Sequence, residues 1–191
     1  MTEALAQRTV NGVEVPVSGA WQVDPSHTTV EFIVRHLMFA KVRGRFGQFT
    51  GSVTIADDPA RSSAEATIQA ASIDTGEEQR DGHLRSPDFF DAERFPTLTF
   101  RTTGIEHAGG SAWRVTGDFT IRGVTRPIVL DTTLQGLAID PWGNSRAFLS
   151  AAAEINREEF GLTWNQPLQN GGVVVGKQVK LEIEAQIVKQ G

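Results

Sequence analysis

Along most of this 191-residue chain, apolar and polar residues alternate with a period of two, the mark of strands that bury one face and wet the other. The clearest run sets Val179, Leu181, Ile183, Ala185 and Ile187 against Lys180, Glu182, Glu184 and Gln186. Ile128, Leu130, Thr132 and Leu134 repeat the pattern, as do Val115, Gly117, Phe119 and Ile121, and Ala64, Ala66, Ile68 and Ala70. Further strands are predicted over residues 19–23, 28–35, 48–55, 97–105 and 148–155. Turn-forming groups separate them, among them Asp57-Asp58-Pro59, Gly109-Gly110 and Asp140-Pro141-Trp142-Gly143.

An antiparallel sheet of eight or nine such strands must hide its edges, and closing on itself does so directly. The expected fold is all-β, an up-and-down antiparallel barrel of about eight strands, wide enough to be filled by side chains or to hold one small ligand. A two-sheet sandwich satisfies the same parity. One short helix is predicted between strands over residues 75–84, with Thr75 and Glu78 spaced as a capping box and Gly82 limiting its length. Ser86-Pro87 looks like a second helix start leading into Phe89 and Phe90. Residues 1–18 read as an N-terminal arm or small hairpin turning at Asn11-Gly12, and residues 19–191 as the barrel domain.

Composition narrows the function classes. Lys+Arg 18 against Asp+Glu 23 gives a net charge of −5, with no basic run longer than a pair, so nucleic acid is not an expected partner. No stretch approaches the roughly 20 uncharged apolar residues of a membrane span. Cys 0 removes disulfides, thiolate ligands and a cysteine nucleophile. Glu3, Gln7 and Arg8 interrupt what a secretory signal would need as an apolar core, so the chain as written is expected in the cytoplasm.

Few residues suggest chemistry. Arg80, Asp81 and His83 fall within one predicted helical turn, where Arg80 and His83 could hold an anionic head group or the trio could pin the helix to the barrel rim. His36 shares strand parity with Phe32 and Val34 and so faces either the core or a cavity. His27, His36, His83 and His107 have no metal-ligand spacing, and no metal is expected. No G-x-S-x-G elbow is present, and no catalytic residue is assigned. Gly44, Gly47 and Gly51 sit beside Phe46 and Phe49 within a strand hairpin, where bulges or close backbone packing explain them better than a phosphate loop. Phe39, Trp142 and Trp164, near strand ends, could line a cavity mouth.

Taken together, an ordered set of segments resembles the YceI-like polyisoprenoid-binding family. They are Trp21-Gln22-Val23-Asp24-Pro25-Ser26-His27-Thr28, Phe32-Ile33-Val34-Arg35-His36, Val42-Arg43-Gly44-Arg45-Phe46, Ala71-Ser72-Ile73-Asp74-Thr75 and Arg80-Asp81-Gly82-His83-Leu84. Asp88-Phe89-Phe90-Asp91, Phe95-Pro96, the run Gly117–Pro127 and Asn156-Arg157-Glu158-Glu159-Phe160-Gly161-Leu162 complete the set. The resemblance implies an eight-stranded lipocalin-like barrel, usually a homodimer, whose interior takes up a polyprenyl phosphate or an isoprenoid quinone tail and needs no cofactor. Many relatives are periplasmic. On this reading Phe32, Val34, Phe39, Phe119, Ile121, Leu130, Phe148 and Trp164 line the ligand chain, and His36, Arg80 and His83 meet its head group. The protein is then a lipid carrier or buffer in transient contact with membranes. The alternative is a hydrolase or isomerase acting on a small apolar substrate, with His36 as proton acceptor.

Overall fold

The computed structural model describes residues 6–191; the reading of Glu3 in the leader lies outside the described residues. Strands β1 (Gln7–Val10) and β2 (Val13–Pro16) form the small hairpin, with Asn11 and Gly12 both at positive φ, 50° and 80°, as a tight hairpin turn requires. The rest is one antiparallel meander: β3 (Gly19–Val23), β4 (Thr29–His36), β5 (Ala40–Phe46), β6 (Phe49–Ile55), β7 (Ser63–Gln69), β8 (Ile73–Asp74), helix α1 (Glu78–Arg85), then β9 (Thr97–Gly109), β10 (Ala112–Ile121), β11 (Val124–Ile139), β12 (Ser145–Asn156) and β13 (Val175–Lys189).

Three staves of the barrel are bent strands made of two segments each. β3 and β4 both pair with β13, one near each end of it, and β6 and β5 pair with them in turn. β7 and β8 continue the outer edge of that pair. The kinks are made by local side-chain bonds, as at Asp24, which accepts from Ser26 N at 3.0 Å and starts a single 3-10 turn over Pro25–His27. Counting the bent strands once gives eight staves, and β12 pairing with β13 while β3 also pairs with β13 closes the ring. The barrel is therefore the architecture, and the sandwich alternative is excluded. Gly47, expected within a hairpin, instead marks the bend between β5 and β6, two segments of one stave.

Parity holds where charges mark the outer face. On β13 Val179, Leu181, Ile183, Ala185 and Ile187 face the interior. Two glycines let large rings fill that interior. A Cβ on Gly44 would overlap the ring of Phe32, its cross-strand partner, and one on Gly117 would overlap Phe100. Close packing is thus what Gly44 requires, as expected from the sequence; Gly51 similarly lies against Val23.

Around α1 the structure corrects two local expectations. Glu77, not Thr75, caps the helix, accepting from Gln79 N at 3.0 Å and Arg80 N at 2.7 Å. Residues 86–95 form consecutive turns and no second helix, because the Ser86 carbonyl accepts from both Phe89 N and Asp91 N and the chain folds back at once. Phe89 and Phe90 nevertheless drop into the barrel end.

Candidate functional site

The interior holds a cavity of about 370 Å³, lined by apolar side chains from all eight staves. From Val175 to Ile187 the lining on β13 runs almost the length of the strand. At about 3.3 Å per residue and a tilt of about 40°, that run spans about 30 Å along the barrel axis, comparable to the hydrocarbon core of a bilayer.

One end is stoppered by the N-terminal hairpin. Val15 is 3% exposed and, with Pro16, lines the cavity. Arg8 clamps the hairpin by donating to the carbonyls of Pro16, Ala56 and Asp57, and Val17 N donates to Ala6 O at 2.9 Å. At the same end Arg146 donates to Asp24 at 2.6 Å and to Asp140 at 2.8 Å, tying three distant segments together. The bond from Arg146 first, and the contact of His27 Nδ1 with Asp24 at 2.9 Å next, lower the Asp24 carboxyl from 3.8 to about 2.

The opposite end is covered by α1, the turns after it and the segment 157–174. Leu84, Phe89 and Phe90 project into the cavity from one side. From the other comes Arg157, 5% exposed and the lining's basic side chain, which donates to the carbonyls of Gly176 at 2.8 Å, Leu162 at 2.6 Å, Trp164 at 3.0 Å and Val175 at 3.2 Å. Burial lowers its pKa and Glu158 opposes the shift. Four carbonyl acceptors let a buried cation persist without a carboxylate bonded to it, and they stitch this segment over the barrel end. Arg157 belongs to a segment that carried the family resemblance, but its partners are decided by a long loop, so no local signal assigned it a role.

The structure sorts the residues expected on the lining. Phe32, Val34, Phe119, Ile121 and Leu130 face the cavity. Phe148 does not: it shares its side of β12 with Glu154 and Asn156, while Leu149, Ala151 and Ile155 face in. Phe39 sits at the tip of the β4–β5 turn, 86% exposed, and Trp142 is 81% exposed at the Asp140 turn. Trp164 is not on the lining either; its ring packs against Phe89 at 5.4 Å and edge-on to His83 at 4.7 Å, joining the two covers of that end.

The three head-group candidates part company. Arg80 donates to the Thr75 hydroxyl at 2.7 Å and the Thr75 carbonyl at 3.0 Å. Thr75 in turn donates through N and Oγ1 to Asp81, which is 4% exposed. Arg80 is thereby a pin between helix and strand end, because the Thr75-Gly76 turn brings its acceptors within reach. His83 is held 2.8 Å from Asp88. The His36 side chain, half-buried at the end of β4, has no hydrogen-bond partner among the described residues, and it lies off the cavity lining, against the strand-parity expectation, where the register between β4 and β13 shifts between Val175 and Val179.

Comparison with known proteins agrees with this architecture. The YceI-like domain description matches residues 21–187, leaving the N-terminal hairpin outside it. A UPF0312 protein of Staphylococcus aureus strain USA300 is 38% identical over 165 residues, covering 85% of this chain and 94% of the relative. Among solved structures, the Campylobacter jejuni YCEI protein superposes with a TM-score of 0.71 at 28% identity, covering 82% of this chain and 90% of its own. Burkholderia cenocepacia BcnA gives 0.76 at 24% identity, covering 86% and 98%. A polyisoprenoid binding domain from Saccharophagus degradans gives 0.70 at 15% identity, covering 89% and 98%.

Proposed function

The chain belongs to the YceI-like family, and from that membership and the length of its apolar lining we propose that it carries the chain of an isoprenoid lipid, a polyprenyl phosphate or an isoprenoid quinone, inside the barrel. The observation that carries the reading is the continuous lining from Val15 at one end to Phe89 at the other, with no break in its apolar character large enough to suit a compact polar ligand. The name of the Saccharophagus degradans domain points to the same ligand class in a protein of the same fold.

The role is binding and exchange, without chemical change to the ligand and without a cofactor. Of the three head-group candidates His36 is the one whose ring nitrogens are uncommitted, Arg80 and His83 being held by neighbours, and since all three lie off the lining a head group would have to protrude beyond the cavity to meet it. An imidazole N–H suits a phosphate oxygen or a quinone carbonyl. Mass spectrometry of organic extracts from protein purified from its native host tests the proposal. A polyprenyl lipid or quinone in near-stoichiometric amount is expected; extracts holding only buffer components, with no uptake of added quinone or polyprenyl phosphate, would overturn it.

A further inference from the structure

The turn between β4 and β5 is built against its own stability. His36 pairs with Ala40, so Leu37, Met38 and Phe39 form the loop, and Leu37 and Met38 adopt φ of 49° and 69°. Side chains with a Cβ are strained there, and Asn or Gly would relieve it. The three residues are 44%, 48% and 86% exposed, so an apolar tip stands in water at the barrel end away from the stopper. Directly behind it Arg35 and Lys41 face each other across the strands, both exposed, with no carboxylate partner among the described residues. Like charges placed opposite one another destabilise a strand pair. Further along β5 the cations are compensated, Arg43 by Glu182 at 3.3 Å and Arg45 by Asp74 at 3.0 Å, so the unpaired charge is confined to Arg35 and Lys41 beside the turn.

Charge is graded along this wall. Glu31, Asp131, Glu182 and Glu184 gather on its outer side around the waist of the barrel. Glu31 lies about 17 Å along β4 from the start of the turn. At the tip itself cations without carboxylate partners and exposed apolar groups stand together, while the exposed carboxylates of that barrel end, Glu77, Glu78, Asp88, Glu93 and Glu159, lie on α1, the turns after it and the segment 157–174.

We infer that the β4–β5 tip is a docking surface for an anionic lipid bilayer, with Leu37, Met38 and Phe39 entering the interface and Arg35 and Lys41 meeting the head groups. Charge complementarity selects the partner: a neutral or cationic surface gains nothing from the Arg35–Lys41 pair, and a second copy of this chain would bring the same cations together. The left-handed turn holds Phe39 and Leu37 outward, with Met38 half-covered against Gly172, where a relaxed Asn-Gly turn would offer no apolar side chain. The inference stands independently of which lipid the cavity holds.

Co-sedimentation of the whole protein with phosphatidylcholine vesicles, with and without phosphatidylglycerol, tests it. The wild type is expected to prefer the anionic vesicles, and the preference to fall at high salt. Arg35→Gln with Lys41→Gln should weaken binding to them about 25-fold, at about fivefold for each cation near an anionic surface. Phe39→Ser should weaken binding to both vesicle types. The Leu37→Asn, Met38→Gly variant relieves the strained turn, so it should fold with an unchanged or higher melting temperature and still lose vesicle binding. Equal binding to neutral and anionic vesicles, or a charge-neutral variant that binds as the wild type does, would overturn the inference. So would concentration-dependent self-association without vesicles that Phe39→Ser abolishes, which would make the tip an interface between copies. Anionic-vesicle binding without any isoprenoid uptake would support the docking surface and refute the carrier reading alone.

Discussion

Ala151→Leu separates a true ligand cavity from a loosely drawn core. Ala151 sits on β12 between Thr132 of β11 and Ile183 of β13, all three on the lining. The substitution projects three further carbons into the cavity of about 370 Å³. Burying them on folding is worth roughly 0.8 kcal/mol each, or about 2 kcal/mol in all, which for a chain of this size raises the melting temperature by about 4–8 °C. An isoprenoid bound as proposed would have to give up the same space, and the displaced part of its tail would be forced out of the cavity into water at a similar cost. Partitioning from vesicles to protein should then weaken about 30-fold. Thermal melts of lipid-free protein and vesicle-to-protein transfer of a quinone with an isoprenoid tail read the two effects, which carry opposite signs. In a core already filled, the added carbons would overpack and destabilise by about 1–3 kcal/mol while leaving transfer unchanged. A lower melting temperature with unaltered transfer would refute the reasoning.

Gly117→Val should destabilise the fold by about 1–3 kcal/mol or abolish it, since its side chain would meet the Phe100 ring and the Arg101 carbonyl; a melt equal to wild type would show that the wall yields freely. Asp24 has a folded-state pKa of about 2, below its ordinary 3.8, so its contribution to stability is complete above pH 4 and disappears as pH falls towards 2. Acid titration of the Arg146→Met variant should show lower stability at neutral pH and a smaller loss across that window, because the largest cause of the depressed pKa is gone. Arg80→Ala should lower the melting temperature and leave ligand transfer untouched, as expected of a pin to Thr75; reduced transfer at unchanged stability would return Arg80 to the head group.

Strand parity was legible wherever charged residues marked one face. β13 alternates Lys180, Glu182 and Glu184 with branched apolar residues, and β10 sets Thr116, Asp118 and Thr120 against Val115, Phe119 and Ile121, so their inner faces could be assigned without coordinates. On β12 the run Ala151-Ala152-Ala153 reads equally well on either parity, and the size of Phe148 tipped the reading outward side in. What decides that strand is its register with β13, where Ala151 pairs with Ile183, and register is a long-range property. Asn11-Gly12 announced its hairpin because the turn chemistry is local. Arg157 announced nothing, since its four acceptors come from residues 162, 164, 175 and 176 and exist only once the loop has closed.

The energetics of such a carrier turn on its competitor. Against water, every methylene buried in the barrel gains roughly 0.8 kcal/mol, a sum that over a long isoprenoid exceeds any real affinity. The lipid's alternative is the bilayer, which is as apolar as the lining, so the tail contributes almost nothing to the difference. For an isoprenoid bound as proposed, selectivity would then rest on length, set by a cavity that ends at Val15 and Pro16, and on head-group contacts at the other end. The stopper also fixes direction. With Arg8 holding the hairpin against Ala56 and Asp57, a tail bound as proposed would have to leave past α1 and the segment 157–174, at the end that carries Leu37, Met38 and Phe39. A carrier that binds no more tightly than a membrane must shorten the aqueous gap instead of deepening its well, and an apolar, cationic tip at the end covered by α1 and the segment 157–174 would do that by bringing this end to the lipid surface.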